Sequence, residues 1–206
     1  MTVWAVLPVK PLTAGKSRLH RYLRSDQIID LNRSLFESTF ERILACHVID
    51  RLMVITKDQE LLDYTRANGG VALQENTPSS LNKAVSQAFA VIQDNDPGPV
   101  LVVPADLPDM RSEDLAELID QGTSDRFLLI VPDCHQTGTN ALFASSPTLI
   151  EPRFGRRSFQ KHTGQALKKS AEITIWLKKS MQYDLDTFQD LQLYNKINVQ
   201  SSILTN

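Results

Sequence analysis

The run Val100-Leu-Val-Val-Pro-Ala-Asp-Leu-Pro-Asp-Met110 decides how the rest of the chain is read. Its first four residues are apolar and mostly β-branched, the pattern of a strand buried on both faces. The run breaks at Pro104 and places Asp106 just past the strand's carboxyl end, with Pro108 stiffening the exit. In open α/β sheets ligands bind beyond the carboxyl ends of the strands. A carboxylate on a short Pro-bounded turn there is well situated to hold a divalent cation. Asp and Pro are equally common in plain turns and helix caps, and this stretch alone leaves both readings open.

Outward from this strand the pattern alternates. Val3 to Val9 reads as a buried first strand, followed by an irregular loop through Pro11 to Arg18. Ser25 or Asp26 caps a helix running to about Cys46, with Ile28, Leu31, Leu35, Phe36, Phe40, Ile43 and Leu44 as its apolar stripe. Arg51–Thr56 is a strand, Asp58 caps a helix that stops at Asn68-Gly69-Gly70, and Val71–Leu73 is a short strand. Ser79 or Ser80 opens a helix carrying Leu81, Val85, Ala88, Phe89 and Ile92, and a polar turn leads into the central strand. Ser112 caps a helix ending at Gly122. Phe127–Val131 and Ala141–Phe143 are strands, Phe159–Lys169 a helix, Ile173–Leu177 a strand and Thr187–Tyr194 a closing helix. Strands and helices alternating at this spacing predict an α/β fold of three αβα layers, with helices on both faces of a mostly parallel sheet. Residues 1–206 read as a single domain without repeats or linkers.

Composition narrows the function. Of 206 residues, 42% are hydrophobic and 22% charged, as in a globular protein with a sizeable core. A net charge of −2 gives no electrostatic case for nucleic acid or an anionic membrane. Cys46 and Cys134 lie far apart without metal or disulfide spacing, which suits a reducing compartment. With no secretory signal pattern and no membrane-length apolar run, the expected location is cytoplasmic. A homodimer is compatible with the pattern.

Four segments carry candidate chemistry. Gly15-Lys16-Ser17 suggests a P-loop, but the glycine that motif needs five residues earlier is Lys10. What remains is a loop with Lys10, Lys16 and Arg18, suited to a polyphosphate. Thr137-Gly-Thr-Asn-Ala-Leu142 could donate to phosphate or carboxylate oxygens, or be a hairpin turn. Phe154-Gly-Arg-Arg-Ser-Phe-Gln-Lys-His162 places Gly155 and Ser158 at a helix start, an anion site or a plain cap. In Asp184-Leu-Asp-Thr-Phe-Gln-Asp-Leu191 an extended backbone points Asp184 and Asp186 to the same side. Either could join Asp106 as a metal ligand, or both could favour a helix N-terminus. No Gly-x-Ser-x-Gly elbow, His-x-x-x-His pair or Cys-His arrangement supports nucleophilic hydrolysis or zinc catalysis.

In this order these pieces resemble the 2-phospho-L-lactate / phosphoenolpyruvate guanylyltransferase family of deazaflavin coenzyme biosynthesis. The matching stretches are Leu7-Pro-Val-Lys-Pro-Leu-x-x-x-Lys-Ser-Arg-Leu19, Leu81-Asn82, Pro104-Ala-Asp-Leu-Pro108, Gly138-Thr-Asn-Ala-Leu142, Phe154-Gly-x-x-Ser-Phe-x-x-His162 and Asp184-x-Asp-Thr-x-x-Asp-Leu191. The resemblance implies a glycosyltransferase-A-like nucleotidyltransferase fold and transfer of GMP from GTP to a small phosphorylated carboxylic acid. It further implies Mg²⁺ on Asp106 and Asp186, and the triphosphate on Lys10, Lys16 and Arg18, with Asn82 on the nucleotide side. Lys16, Arg18 and Asp106 would carry catalysis. Thr139, Gly155 and Ser158 would seat the acceptor, with Arg156 or Arg157 adding charge. The chain departs from the family pattern at His135-Gln-Thr137, at Arg156-Arg157 and at Phe188, often proline in the family. The first two lie where the acceptor should sit, so phosphoenolpyruvate, 2-phospho-L-lactate and 3-phosphoglycerate all stay open. The alternatives are another nucleotidyltransferase of the same fold with a sugar-phosphate or pterin-type acceptor, and a non-catalytic nucleotide-binding protein.

Overall fold

A computed structural model describes residues 1–77, 80–122 and 124–194. Ser79, one of the two expected caps, lies outside the described residues, as do residues 195–206 of the expected domain. In chain order the elements are β1 (Trp4–Pro8), α1 (Ser25–Leu44), β2 (Arg51–Thr56), α2 (Gln59–Ala67), β3 (Val71–Gln74), α3 (Leu81–Asn95) and β4 (Val100–Val102). They continue with α4 (Ser112–Asp120), β5 (Phe127–Pro132), β6 (Thr139–Ala144), α5 (Ser158–Lys168), β7 (Glu172–Ile175) and α6 (Lys179–Gln182). Residues 188–194 form a last helical stretch.

The strands form one seven-stranded sheet in the order β3-β2-β1-β4-β6-β5-β7. β6 alone runs against its neighbours β4 and β5. The Thr137-Gly138 segment is therefore a hairpin turn. The Asp133 carboxylate accepts from the Thr137 N–H at 2.8 Å and from its hydroxyl at 3.1 Å. Period-two burial cannot foretell direction, so the expectation of a mostly parallel sheet holds while the reversal of β6 emerges only from the pairing.

The inner strands alternate their side chains between two apolar layers. Ala5, Leu7, Leu52, Val54, Leu101 and Phe143 pack on one face with Phe36, Phe40 and Ile43 of α1 and with apolar residues of α2, α4 and α6. Val6, Met53, Val100, Val102, Leu128 and Leu142 pack on the other with Val85, Ala88, Phe89 and Ile92 of α3 and Ala166 of α5. Both faces are covered, which explains why the central strands are apolar throughout. Phe36 and Phe40 are 0% and 1% exposed, and truncating either to alanine should cost about 3–5 kcal/mol.

Several local expectations shift by a residue. Arg24, not Ser25 or Asp26, takes the cap of α1, its N–H donating to Gln27 Oε1 at 3.0 Å. Arg111, not Ser112, does so for α4, with Asp114 Oδ2 accepting from its N–H at 3.0 Å. In both, the side chain at the third helical position accepts from the cap residue's own N–H, one half of a capping box, which does not need Ser or Thr in front. Ser158 is likewise the first helical residue of α5, with Arg157 at the cap position in left-handed conformation (φ 55). Asp58 and Ser80 cap α2 and α3 as their sequences imply. Leu81, expected in the apolar stripe of α3, is 45% exposed.

Candidate functional site: a carboxylate cluster at the sheet's carboxyl edge

β1 and β4 lie side by side with Val6 opposite Val102, so the chain exits at Pro8 and Pro104 emerge together. The first loop is held from two sides. The Leu12 N–H donates to Asp58 Oδ2 at 2.9 Å, and Asn32 Nδ2 donates to the carbonyls of Leu12 and Ala14 at 2.8 and 3.3 Å. Gly15 and Lys16 then both take positive φ (91 and 47). Gly adopts this freely, whereas Lys16 bears strain of about 1–2 kcal/mol. The strained residue is the one that meets the carboxylates. Its Nζ lies 3.0 Å from Asp106 Oδ2 and 3.2 Å from Asp186 Oδ1, with the side chain 7% exposed. Burial by itself disfavours the ammonium, yet the two carboxylates outweigh it and raise the Lys16 pKa.

The second half of the cluster arrives from the C-terminal part of the chain. The Leu185 N–H donates to the Asp106 carbonyl at 2.9 Å, and Leu185 is buried. In this extended segment Asp184 and Asp186 flank Leu185 on the same side, and one oxygen from each of Asp106, Asp184 and Asp186 lies within 4.8 Å of the others. Both aspartates join the cluster, where the sequence left the choice between them open. Downstream, Asp190 accepts from the N–H groups of Asp186 and Thr187 at 3.0 and 2.6 Å, while Thr187 Oγ1 accepts from the Asp190 N–H at 3.3 Å. This capping box fixes the backbone that carries Asp186. Upstream, Asn140 Nδ2 donates to the Met181 carbonyl at 3.0 Å and Ser180 Oγ to Asp114 Oδ2 at 2.7 Å. Burial, with the charges of Asp106 and Asp186, pushes the Asp184 carboxyl up. A site that raises an acid's pKa this way favours added positive charge. Its all-oxygen donor set suits a hard divalent cation such as Mg²⁺.

Beside the cluster opens a cleft of about 610 Å³, reached by Lys10, Lys16, Asp106 and Asp186 and, on the β2–β3 side, by Lys57 and Glu75. The three expected loop cations do not converge. Arg18 is exposed and lines a separate hollow of about 650 Å³ with Arg21, Tyr22 and Phe188. Phe188, the departure from the family pattern, stacks on Tyr22 there, ring centroids 4.3 Å apart.

The remaining candidates gather around α5. Thr139 opens β6, and its Oγ1 lies 3.1 Å from Nδ1 of the fully buried His162. His162 Nε2 accepts from the Arg153 N–H at 3.0 Å. Burial, helped by the positive charge of Lys161, holds the imidazole neutral, its pKa lowered to about 4. With Nε2 accepting, the single ring proton sits on Nδ1 and is donated to Thr139 Oγ1. The Thr139 hydroxyl is thereby left with its own proton to give. Ser158 is buried at the first position of α5, while Gly155 (φ 100), Arg156 and Arg157 are exposed. Asn82, expected on the nucleotide side, instead holds this loop. Its Oδ1 accepts from the Phe154 N–H at 2.6 Å and its Nδ2 donates to the Phe154 carbonyl at 3.2 Å. Sequence reasoning passed over Asn32 and Glu75, for which no local signal exists. The role of Asp190 was legible in its Thr-x-x-Asp spacing.

Residues 3–194 match the family described as guanylyl transferase CofC like. The chain belongs to the CofC-like guanylyl transferase family. It is 30% identical over 192 residues to the phosphoenolpyruvate guanylyltransferase of Sphaerobacter thermophilus, covering 93% of this chain and 92% of that protein. It is 27% identical over 186 residues to the 2-phospho-L-lactate guanylyltransferase of Methanocaldococcus fervens, covering 90% and 81%. The fold of this CofC-like chain is also that of 4-diphosphocytidyl-2C-methyl-D-erythritol synthase from Anaerococcus prevotii (TM-score 0.68, 11% identity, 95% of each chain covered). No helix among the described residues is long and apolar enough to cross a membrane.

Proposed function

We propose that this protein joins the phosphate of a small phospho-acid to GMP taken from GTP, releasing pyrophosphate, in biosynthesis of a deazaflavin coenzyme. Phosphoenolpyruvate and 2-phospho-L-lactate, the acids named in its relatives, are the favoured acceptors, with 3-phosphoglycerate the third to be tried. The observation that carries this reading is Lys16 bridging Asp106 and Asp186 at the cleft, in a chain of this family.

The reaction needs little covalent help from the protein. A phosphate monoester is largely dianionic at neutral pH, with a second pKa of about 6, so no general base is required. Its oxygen attacks the α-phosphorus of GTP, the bond from that phosphorus to the bridging oxygen breaks, and the electron pair departs with pyrophosphate. Positioning and charge neutralisation supply the rate. Asp106, Asp184 and Asp186 would hold Mg²⁺, which when bound offsets charge on the triphosphate. Lys16 and Lys10 would bind the β- and γ-phosphates and stabilise the leaving pyrophosphate; Arg18, facing the other hollow, is left out of this set. The Thr139 hydroxyl, the Ser158 hydroxyl and the N–H groups opening α5 beside Gly155 would seat the acceptor's phosphate and carboxylate. Purified protein given GTP, Mg²⁺ and each acid in turn should form a guanosine-diphosphoryl adduct detectable by mass. Absence of the adduct with all three acids would remove this reading.

A further inference from the structure

The cleft carries a carboxylate that the cluster does not use. Glu75 follows β3, and its N–H donates to the Thr56 carbonyl at 2.9 Å. Gln87 of α3 clamps both its neighbours, Nε2 donating to the Gln74 carbonyl at 2.8 Å and Oε1 accepting from the Asn76 N–H at 3.0 Å. Its backbone is thus fixed from both sides. Among the described residues the half-buried Glu75 side chain makes no hydrogen bond or ion pair. Lys57, just past β2, lines the same wall. This wall lies on the β2–β3 side of β1, whereas Thr139 and Ser158 lie on the β6–α5 side. A ligand anchored by Lys16 between them has one arm toward each wall.

We infer that Glu75 reads the base of the nucleotide, its carboxylate accepting from N1–H and the N2 amine of guanine, with the Lys57 ammonium facing O6. Guanine is the common nucleobase that presents two adjacent donors on its Watson–Crick edge. Adenine and cytosine present one donor beside an acceptor, and uracil one donor between two acceptors. A carboxylate has two acceptor oxygens and no donor, so it pairs bidentately with guanine alone. Lost bidentate pairing to a base costs about ten- to a hundredfold in discrimination. The inference rests on the proposed guanylyl transfer and names the group that selects its donor.

The test compares wild type and Glu75→Gln with GTP, ITP, which lacks the N2 amine, and XTP, which has a carbonyl at C2. Wild type should prefer GTP over ITP by about tenfold or more, through KM. The glutamine amide can donate to the xanthine C2 carbonyl, so Glu75→Gln should lower kcat/KM for GTP while raising use of XTP relative to GTP. A misfolded variant cannot produce that gain. Calorimetric binding of GDP, IDP and XDP reads the same ratios without turnover. An unchanged ratio among the three in Glu75→Gln, by turnover or by binding, overturns the assignment. Wild type that forms no adduct but binds GDP over IDP with Glu75 dependence overturns the transfer reading and leaves Glu75 as the base reader.

Discussion

One ammonium serves two carboxylates from distant parts of the chain: Lys16 Nζ is 3.0 Å from Asp106 and 3.2 Å from Asp186. It neutralises part of a charge cluster that burial makes costly. Lys16→Ala should therefore lower transfer about 10²–10³-fold, the usual loss for one preorganised charge-stabilising group. It should also lower the unfolding temperature in chelator, because three acids then face one another without a cation. Single-turnover rates and thermal melts in EDTA check both. Unchanged stability in EDTA would show that Lys16 does not balance the cluster.

Divalent cation should bind the folded protein through these same oxygens. At Mg²⁺ a hundredfold above its dissociation constant, stabilisation of about 2.7 kcal/mol is expected. Asp106→Asn should lose that shift and the transfer activity while keeping the circular dichroism of the parent, since Asp106 holds the extended Asp184–Asp186 segment through its backbone carbonyl to Leu185 and not through its carboxylate. A full Mg²⁺-dependent shift in Asp106→Asn would take Asp106 out of the metal site.

Asp184 is the strained member. Burial first, then the charges of Asp106 and Asp186, push its carboxyl up. Asp184→Asn removes one like charge, so the metal-free protein should gain stability, by about 1 kcal/mol, while transfer falls. Chemical denaturation in EDTA set against turnover in Mg²⁺ reads the trade-off. A variant less stable than its parent in EDTA would mean that Asp184 serves the fold rather than the cluster.

The fold was legible because periodicity speaks for burial: the apolar runs at Val3, Arg51, Val100 and Phe127 became β1, β2, β4 and β5 nearly residue for residue. The direction of β6 was not, since a strand's pattern reads the same either way. The pairing of Asp184 with Asp186 was readable from spacing, because two residues apart in an extended chain share a side. Their meeting with Asp106 depends on one backbone bond, Leu185 to Asp106, between residues far apart in sequence. The separation of Arg18 from Lys16 was equally hidden. Lys16 and Arg18 are close in sequence, but with the left-handed turn at Gly15 and Lys16 one lines the cleft and the other the neighbouring hollow. Asn82 and His162 looked alike as polar residues near motifs. Only their partners distinguish a residue that clamps a loop from one that aims a hydroxyl.

His162 makes stability depend on pH in a defined window. An unfolded histidine titrates at about 6.5, whereas burial and Lys161 hold the folded one at about 4. Between those values the unfolded chain takes up a proton that the folded chain refuses, so stability rises with pH there. His162 contributes fully above pH 6.5, and its contribution falls away as pH drops toward about 4, on the order of 3 kcal/mol in all. Asp114 and Asp133, held below the ordinary carboxylate range, lose theirs only at lower pH. His162→Gln should be less stable than its parent at pH 7.5 and show a flatter stability profile from pH 6.5 to 4, measured by urea denaturation. It should also raise KM for the phospho-acid more than KM for GTP. The Gln side chain reaches the position of Nε2 and can still accept from the Arg153 N–H, but it leaves no donor at the position of Nδ1, so the Thr139 hydroxyl loses its fixed direction. A parental pH slope in the variant would assign the titration to another group, and equal effects on the two KM values would make His162 a core residue with no part in orienting Thr139.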